Sequence, residues 1–492
     1  MKKTCRASGI LLPIFSLPSD YGIGTFGEEA YKFVDMLKNA KQKYWQILPL
    51  CPTSYGDSPY QSFSTFAGNP YFIDLDTLIS EGLLSKDECS SVDFGDNPVS
   101  IDYGKLYFGR YPLLKKAFVK SKHQERKEFK EFCRENEAWL QEYCLFMAVK
   151  GRFGNVSWLE WNEDIKARRP DALKCYTKEM AEEIDFHKFM QYQFFKQWSA
   201  LKKYANENGI KIFGDLPIYV AMDSADVWSN PSLFLLDEDL NPESLAGVPP
   251  DSFSDEGQLW GNPLYNWRNH KKSGYSWWMN RIAHSAKLYD TLRIDHFRGF
   301  DAYWAVPHGE KNAVNGEWRK GPGIDLFQKI KKQLGEIDII AEDLGVQTDS
   351  LRILLSETGY PGMKVMQFGF GGEDNEHLPH NYPAKSVAYT GTHDNTTLSQ
   401  WYNELPADNR ELLNLYCRVT YEDPISDIIA TVFQSTANLV IIPLQDYLGL
   451  GGEARINTPS TLGDNWKWRL EKGRFTSSIQ NHIAQLTETF FR

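Results

Sequence analysis

Eight short apolar stretches, most of them separated by helical patterns, limit the folds open to this chain. The stretches are 9–12, 44–50, 211–220, 288–297, 337–345, 362–370, 386–395 and 439–449. Helical spacing of apolar residues is clearest in 28–39, 324–334 and 350–358. Strands that alternate with helices form parallel sheets, and eight strands favour a (β/α)8 TIM barrel over an open doubly wound sheet. No Gly-x-Gly-x-x-Gly motif follows a strand, so a dinucleotide-binding fold has no support.

The long stretch between the second and third predicted strands has a different character. From 78 to 208 the charge rises and apolar residues fall at helical spacing. A second long helix is predicted near 180–206, with Gly209 as its C-terminal stop. We therefore predict a mostly helical insertion subdomain over 78–208 and a barrel built from 1–77 and 209–492.

Charge and cysteine content argue against several classes of protein. The net charge of −11 and the lack of a basic stripe argue against a nucleic-acid partner. No run approaches the roughly 20 apolar residues of a membrane span, and the first residues lack the pattern of a signal peptide. The seven cysteines are scattered without a Cys-x-x-Cys pair, which argues against disulfides and structural zinc. These features predict a cytoplasmic protein.

Charged residues follow four of the predicted strands. At the strand ends stand Asp215, then Arg293 with Asp295 and His296, then Glu342 with Asp343, then His393 with Asp394. In a barrel the chemistry takes place at the carboxyl ends of the strands. Because side chains on a strand alternate between faces, Arg293 and Asp295 point to the same side. A ring of carboxylates at one mouth suits either a divalent metal or the cleavage of a glycosidic bond.

The residue types favour glycosidic chemistry over a metal. No His-Glu-x-x-His or His-x-His pair is present and Arg293 already supplies a positive charge, so we expect neither a metal nor another cofactor. Cleavage needs one ionised carboxylate and one protonated carboxylic acid. Arg293 would lower the pKa of Asp295 and keep it anionic, whereas the apolar setting of Glu342 would raise its pKa for acid/base work. The other strand-end side chains that could bind the sugar are Asp394, His296 and His393.

Longer motifs extend this hypothesis from a chemistry to a family. They are, in chain order, GILLPIFSLPSDYGIGTFG, YWQILPL, GDSPYQSFSTFAGNPYFIDL, FGDLPIYVAMDSADVW, GVPPDSFSDEGQLWGNPLYNW, LRIDHFRGF, IIAEDLG, GTHDNTT and NTPSTLGDNWKWRL. With these motifs the chain resembles, nearly end to end, the 4-α-glucanotransferases (amylomaltases or disproportionating enzymes), relatives of the α-amylase clan. The resemblance implies a barrel with insertions between its strands, no C-terminal β-domain and no calcium site.

The resemblance also implies roles for individual residues. In RIDHFRG it makes Asp295 the nucleophile, in AEDLG it makes Glu342 the general acid/base, and in THDN it makes Asp394 the stabiliser of the transition state. The substrate-binding residues that it implies are Tyr60, Asp215, Arg293, His296, His393, Trp260 in a loop over the cleft, Asn465 in NWKWR, and Tyr55 as a more remote glucan contact. The implied reaction is a retaining double displacement. It transfers an α-1,4-glucan segment from a glucan or malto-oligosaccharide to the 4-hydroxyl of glucose or another glucan.

Transfer and hydrolysis share the glycosyl-enzyme intermediate and differ in what attacks it. A transferase must hold an acceptor sugar and keep water away. The segment 246–278 is rich in aromatic residues and has glycines at 247, 257 and 261 that would let a loop bend. Its composition alone favours an ordinary surface loop with some buried rings, whereas the resemblance implies a lid. The residues by themselves indicate glycosidase-like chemistry, whereas transfer is implied by the resemblance alone. The alternatives are an α-glucan hydrolase of the same clan and a catalytically silent glucan-binding barrel, which would be expected to lack one of the three acids.

Overall fold

The described part of the chain contains twelve strands. The structure, a computed structural model, describes residues 6–54, 56–250, 254–420 and 422–492. The strands are β1 (Ala7–Leu11), β2 (Tyr44–Gln46), β3 (Lys211–Pro217), β4 (Ser244–Val248), β5 (Gln258–Pro263), β6 (Thr291–Asp295), β7 (Ala302–Pro307), β8 (Glu317–Lys320), β9 (Ile339–Ala341), β10 (Gly362–Val365), β11 (Ser386–Tyr389) and β12 (Leu439–Pro443). They divide into one sheet of eight strands and one sheet of four.

The eight-stranded sheet is parallel throughout and curls into a barrel. Its strand order is β10-β11-β12-β1-β2-β3-β6-β9. Its two ends meet where the Ala341 N–H of β9 donates to Pro361 O, one residue before β10, at 2.9 Å. Each of the eight predicted apolar stretches overlaps one of these strands. All five residues of β12 are buried, as expected for a parallel strand that is covered on both faces. The predicted (β/α)8 barrel is confirmed.

Nineteen α-helices connect and surround the strands in the described ranges. They are α1 (Glu28–Asn39), α2 (Leu75–Ser80), α3 (Lys86–Ser90), α4 (Tyr103–Lys120), α5 (Lys127–Glu135), α6 (Glu137–Arg152), α7 (Glu163–Lys166), α8 (Pro170–Glu179), α9 (Ala181–Glu207), α10 (Ala225–Ser229), α11 (Trp267–Lys272), α12 (Ser276–Leu288), α13 (Ile324–Leu334), α14 (Asp349–Thr358), α15 (Leu398–Glu404), α16 (Ala407–Cys417), α17 (Pro424–Gln434), α18 (Leu444–Tyr447) and α19 (Ser477–Thr489). The helices predicted from apolar spacing correspond to α1, α9, α13 and α14. Gly209 follows α9 with φ of +77°, the conformation that ends many helices. Among the residues described, none of the helices combines the length and the apolar character that a membrane span requires.

Helices α2 to α9 fill the chain between β2 and β3, and the last of them packs directly on the barrel. The rings of Phe194 and Trp198 in α9 lie 5.1 and 5.2 Å from the ring of Phe26. The indole N–H of Trp198 donates to Leu288 O at 3.2 Å. The helical region therefore shares one continuous core with the barrel. The division into a barrel and an insertion subdomain at residues 78 and 208 stays a prediction.

The four-stranded sheet is antiparallel, in the order β5-β4-β7-β8, and the sequence pattern did not predict it. It contains part of the segment 246–278, which continues into α11 and α12. The prediction of a loop over the whole segment is therefore wrong, since part of β4, all of β5 and α11 and the start of α12 lie within it. Most of its aromatic residues belong to the core, and those that are buried include Tyr265, Tyr275, Trp277 and Trp278. Trp260 on β5 is half-buried, and Phe253 lies outside the described residues.

Close packing leaves no space for a side chain at one position of a barrel strand. Gly214 in β3 lies against the ring of the buried Tyr289, and a Cβ atom at this position would overlap that ring. Gly214→Ala should therefore lower the free energy of unfolding by about 1–3 kcal/mol, because the packed core resists added volume. Gly151 in α6 has open space at its Cβ position, so Gly151→Ala should be neutral or stabilising. Equal urea midpoints for the two variants would contradict this explanation.

Candidate active site

A buried arginine joins two carboxylates at the carboxyl ends of β3 and β6. In the register of these neighbouring strands, Asp215 stands beside Arg293. The guanidinium contacts Asp215 at 2.6 Å and Asp295 at 2.9 Å. The side chains of Asp215 and Arg293 are almost fully buried, whereas that of Asp295 is 29% exposed. Burial opposes the charge on Arg293, yet the two carboxylates raise its pKa well above its usual value.

Glu342 follows β9 directly, and its carboxylate accepts two backbone hydrogen bonds. The N–H of His296 donates to Oε2 at 2.7 Å, and the N–H of Leu344 donates to Oε1 at 2.8 Å. His296 adopts a left-handed backbone conformation with φ of +51° immediately after β6. This conformation is uncommon outside glycine and occurs often at functional sites. The turn after β6 thus directs a backbone donor at the carboxylate of the next barrel strand.

The two carboxyl groups behave as a pair. Burial raises the pKa of Glu342 to about 7, as expected from its apolar setting. Burial also raises the pKa of Asp295 above its usual value, against the influence of Arg293, so the predicted lowering of the Asp295 pKa is wrong. Interacting acids lose their protons as a pair. With one proton between them, the direct contact of Arg293 favours the negative charge on Asp295 and the proton on Glu342.

Tyr60, His393 and Trp466 form one wall beside the buried arginine. The Tyr60 hydroxyl donates to Asp215 Oδ2 at 2.7 Å. The Tyr60 ring stacks on His393 with centroids 5.2 Å apart and planes 9° apart. Trp466 completes the wall, with its ring 5.7 Å from Tyr60 and 6.0 Å from His393. Burial lowers the pKa of His393 and that of His296, the latter to about 4, so both rings are neutral near pH 7.

Asp394 is held by residues that the sequence analysis did not single out. Its Oδ1 accepts a hydrogen bond from Asn457 Nδ2 at 2.6 Å, and its backbone carbonyl accepts one from Arg455 at 2.7 Å. His393 Nε2 lies 3.3 Å from the other carboxylate oxygen. The Asp394 side chain remains 41% exposed. Asn457 and Trp466 both belong to the quoted motif NTPSTLGDNWKWRL, which was therefore the available signal.

The remaining predicted site residues differ in how the structure places them. Trp260 meets His296 edge to face, with centroids 4.8 Å apart, and the Nε2 of His296 has no hydrogen-bond partner among the described residues. Asn465 makes its hydrogen bonds to Thr458 and Thr461 of its own loop, and its predicted contact with substrate stays a prediction. Asp343 accepts the N–H of Met363 at 2.7 Å and so links β9 to β10. Tyr55 lies outside the described residues.

The site as a whole defines a class of enzyme. The structure brings together Asp215, Arg293, Asp295, His296, Glu342, Tyr60, His393, Asp394 and Trp260 at the carboxyl ends of barrel strands or beside them. Among the residues described, no group of three or more His, Cys, Asp and Glu side chains is arranged to hold a metal ion. A pair of carboxyl groups with a third carboxylate nearby, at the mouth of a (β/α)8 barrel, is typical of enzymes that act on glycosidic bonds.

Comparison with known proteins identifies the family within this class. A sequence model of the family described as 4-alpha-glucanotransferase matches residues 12–476. The 4-alpha-glucanotransferase of Clostridium butyricum is 51% identical over 97% of this chain and 99% of its own length. That of Streptococcus pneumoniae is 50% identical over 100% of this chain and 98% of its own length. A solved structure of amylomaltase from Streptococcus agalactiae in complex with acarbose is 44% identical and covers 99% of both chains, with a TM-score of 0.96. The chain belongs to the 4-α-glucanotransferase family.

The raised pKa of Glu342 makes folding stability depend on pH. Because the folded state binds this proton more tightly than the unfolded state, the stabilisation is present at low pH and is lost as pH rises through about 7. Glu342→Gln removes the titration. As pH rises from 5 to 8, the free energy of unfolding of the variant should therefore increase relative to that of the wild type, by up to about 3 kcal/mol. Urea unfolding at both pH values measures this change. The exposed Glu357→Gln provides the control, and parallel pH curves for wild type and Glu342→Gln would contradict the raised pKa.

Proposed function

We propose that this 4-α-glucanotransferase transfers an α-1,4-glucan segment through a covalent glycosyl-enzyme intermediate. The segment passes to the 4-hydroxyl of glucose or of another glucan, and the configuration at the anomeric carbon is retained. The observation that carries the proposal is the setting of two carboxyl groups: Arg293 contacts Asp295, and two backbone N–H groups bind Glu342. This arrangement supports a negative charge on either acid at a different stage of the reaction.

In the first step Asp295 acts as the nucleophile and Glu342 as the general acid. The Asp295 carboxylate attacks the anomeric carbon, and the bond from that carbon to the glycosidic oxygen breaks. Glu342 gives its proton to the departing oxygen. Arg293 keeps the negative charge on Asp295 in the resting enzyme, and burial keeps the proton on Glu342 near neutral pH.

In the second step Glu342 acts as the general base. After the first step it carries the negative charge, which the N–H groups of His296 and Leu344 stabilise. The carboxylate then takes the proton from the 4-hydroxyl of the acceptor, whose oxygen attacks the anomeric carbon and releases Asp295. Two successive inversions give net retention.

The third acid, Asp394, is proposed to bind sugar hydroxyls more strongly in the transition state than in the ground state. Its hydrogen bond from Asn457 fixes one carboxylate oxygen and leaves the other facing the site. The remaining residues proposed to contact the glucan are Tyr60, Asp215, Arg293, His296, His393, Trp260, Asn465, Tyr55 and, added by the structure, Trp466.

The proposed partners are malto-oligosaccharides and α-1,4-glucans as donors, with glucose or a glucan as acceptor. The related amylomaltase from Streptococcus agalactiae was solved with acarbose bound, which supports a glucan-like ligand in the same fold. We propose a cytoplasmic location, since the six described cysteines are free thiols and suit a reducing compartment.

Incubation of the protein with maltotriose tests the proposal. Transfer predicts glucose together with a ladder of longer oligosaccharides, while the total number of reducing ends hardly changes, because each bond broken is replaced by a new one. Separation of the products by size and a reducing-end assay measure both quantities. Rising reducing ends without longer chains would mean hydrolysis, and unchanged maltotriose would favour a silent glucan-binding barrel.

The nucleophile assignment has its own test. Asp295→Asn should lower turnover by roughly 10⁴-fold or more, since the covalent step is lost, while glucan binding and the fold are largely kept. Asp290→Asn, at the amino end of the same strand, provides the control and should keep turnover close to that of the wild type. Turnover of Asp295→Asn at a near-normal rate would rule out Asp295 as the nucleophile.

A further inference from the structure

The strand that carries Trp260 contains a bulge. In the antiparallel pairing of β4 with β5, Leu245 faces Pro263 but Gly247 faces Leu259. The three residues from Trp260 to Asn262 therefore stand opposite Ala246 alone. Gly261, in the middle, adopts φ of +77°, a conformation that favours glycine. Bulges of this kind redirect a side chain, and they are frequent next to active sites.

A side-chain amide from another loop holds this bulge in place. Gln61 Nε2 donates to Trp260 O at 3.1 Å and to Asn262 Oδ1 at 3.0 Å. Asn262 Nδ2 donates to Gln61 Oε1 at 3.4 Å and to Val220 O at 2.8 Å. Since β5 is the edge strand of its sheet, these bonds supply the support that a further strand would otherwise give.

The Gln61–Asn262 pair connects two walls of the active site. Gln61 follows Tyr60, whose hydroxyl binds Asp215 and whose ring stacks on His393. On the other side, Trp260 contacts the ring of His296, the residue whose backbone N–H binds Glu342. One amide pair therefore links the strand that holds the indole against His296 to the wall beside the buried arginine.

We propose that Gln61 is a positioning residue that determines how the glycosyl-enzyme intermediate divides between transfer and hydrolysis. It does so by fixing Trp260 against the ring of His296, the residue whose backbone N–H binds Glu342. This inference rests on the function proposed above, because it requires an intermediate that either a sugar or water can attack.

The physical argument concerns the side from which the attacking hydroxyl reaches Glu342. An indole fixed against the ring of His296 offers apolar surface to an acceptor sugar and excludes water from the same space. Without the amide of Gln61, the carbonyl of Trp260 and the amide of the buried Asn262 lose partners, and the bulge gains freedom. The acceptor is then held less well, whereas a water molecule needs no such support.

The ratio of hydrolysis to transfer measures this effect independently of the amount of active enzyme. Gln61→Met keeps the length of the side chain and removes its hydrogen bonds. With maltotriose as substrate, we expect the ratio of reducing ends gained to longer oligosaccharides formed to rise about fivefold, which corresponds to about 1 kcal/mol. Gln61→Glu keeps the size and an acceptor for Asn262 but cannot donate to the Trp260 carbonyl, so the ratio should rise for this variant too.

Gln197→Met is the matched control for a change in stability alone. In α9, Gln197 accepts the N–H of Asp74 at 2.6 Å and donates to its carbonyl at 3.3 Å, so it also holds a loop through its amide. This control should lose stability and rate but keep the wild-type ratio.

A wild-type ratio in Gln61→Met, with rates that fall as in Gln197→Met, would overturn the inference. If Gln61→Met does not fold, a wild-type ratio in Gln61→Glu overturns it equally. Absence of transfer by the wild-type enzyme would instead refute the proposed function.

Discussion

The guanidinium of Arg293, buried between Asp215 and Asp295, is the interaction on which the mouth of the barrel depends. A buried charge is tolerated only when it is paired, and removal of one partner from such a pair costs about 3–5 kcal/mol. Because Asp215 and Arg293 stand side by side on neighbouring strands, the ion pair joins β3 to β6 where the site is formed. The Tyr60 hydroxyl donates a hydrogen bond to the same aspartate, and the Tyr60 ring stacks on the ring of His393.

The same arginine determines which of the two buried acids carries the negative charge and which carries the proton. Burial raises the pKa of both Asp295 and Glu342, so a single proton on the pair is the expected state near neutral pH. Arg293 then favours the charge on Asp295, while the backbone donors from His296 and Leu344 make a charge on Glu342 tolerable once Asp295 is esterified. The negative charge is thus stabilised on whichever of the two acids carries it during the reaction.

The small antiparallel sheet adds to the barrel what a parallel barrel alone does not supply. Its edge strand β5 brings an indole against the ring of His296, and the bulge lies at the residues Trp260–Asn262 that carry this indole. The strand is joined to the Tyr60 loop by an amide pair rather than by a longer hydrogen-bonded ladder. The proposed preference for a sugar over water therefore depends on a few polar contacts outside the barrel.

The sequence by itself determined the barrel, its longer helices and the acids at the strand ends. These are local properties, because strand alternation and helical spacing are read over a few residues and the Arg293–Asp295 contact follows from two positions on one strand. Only the tertiary structure decided the four-stranded sheet, whose central strands β4 and β7 are far apart in the sequence, and the burial of Trp277 and Trp278. It also decided the contacts of Asn457 and Trp466 and the raised pKa of Asp295. The physical reason is the same in each case: pairing register, burial and the electrostatic surroundings of a side chain depend on residues that are distant in the chain and meet only in the folded protein.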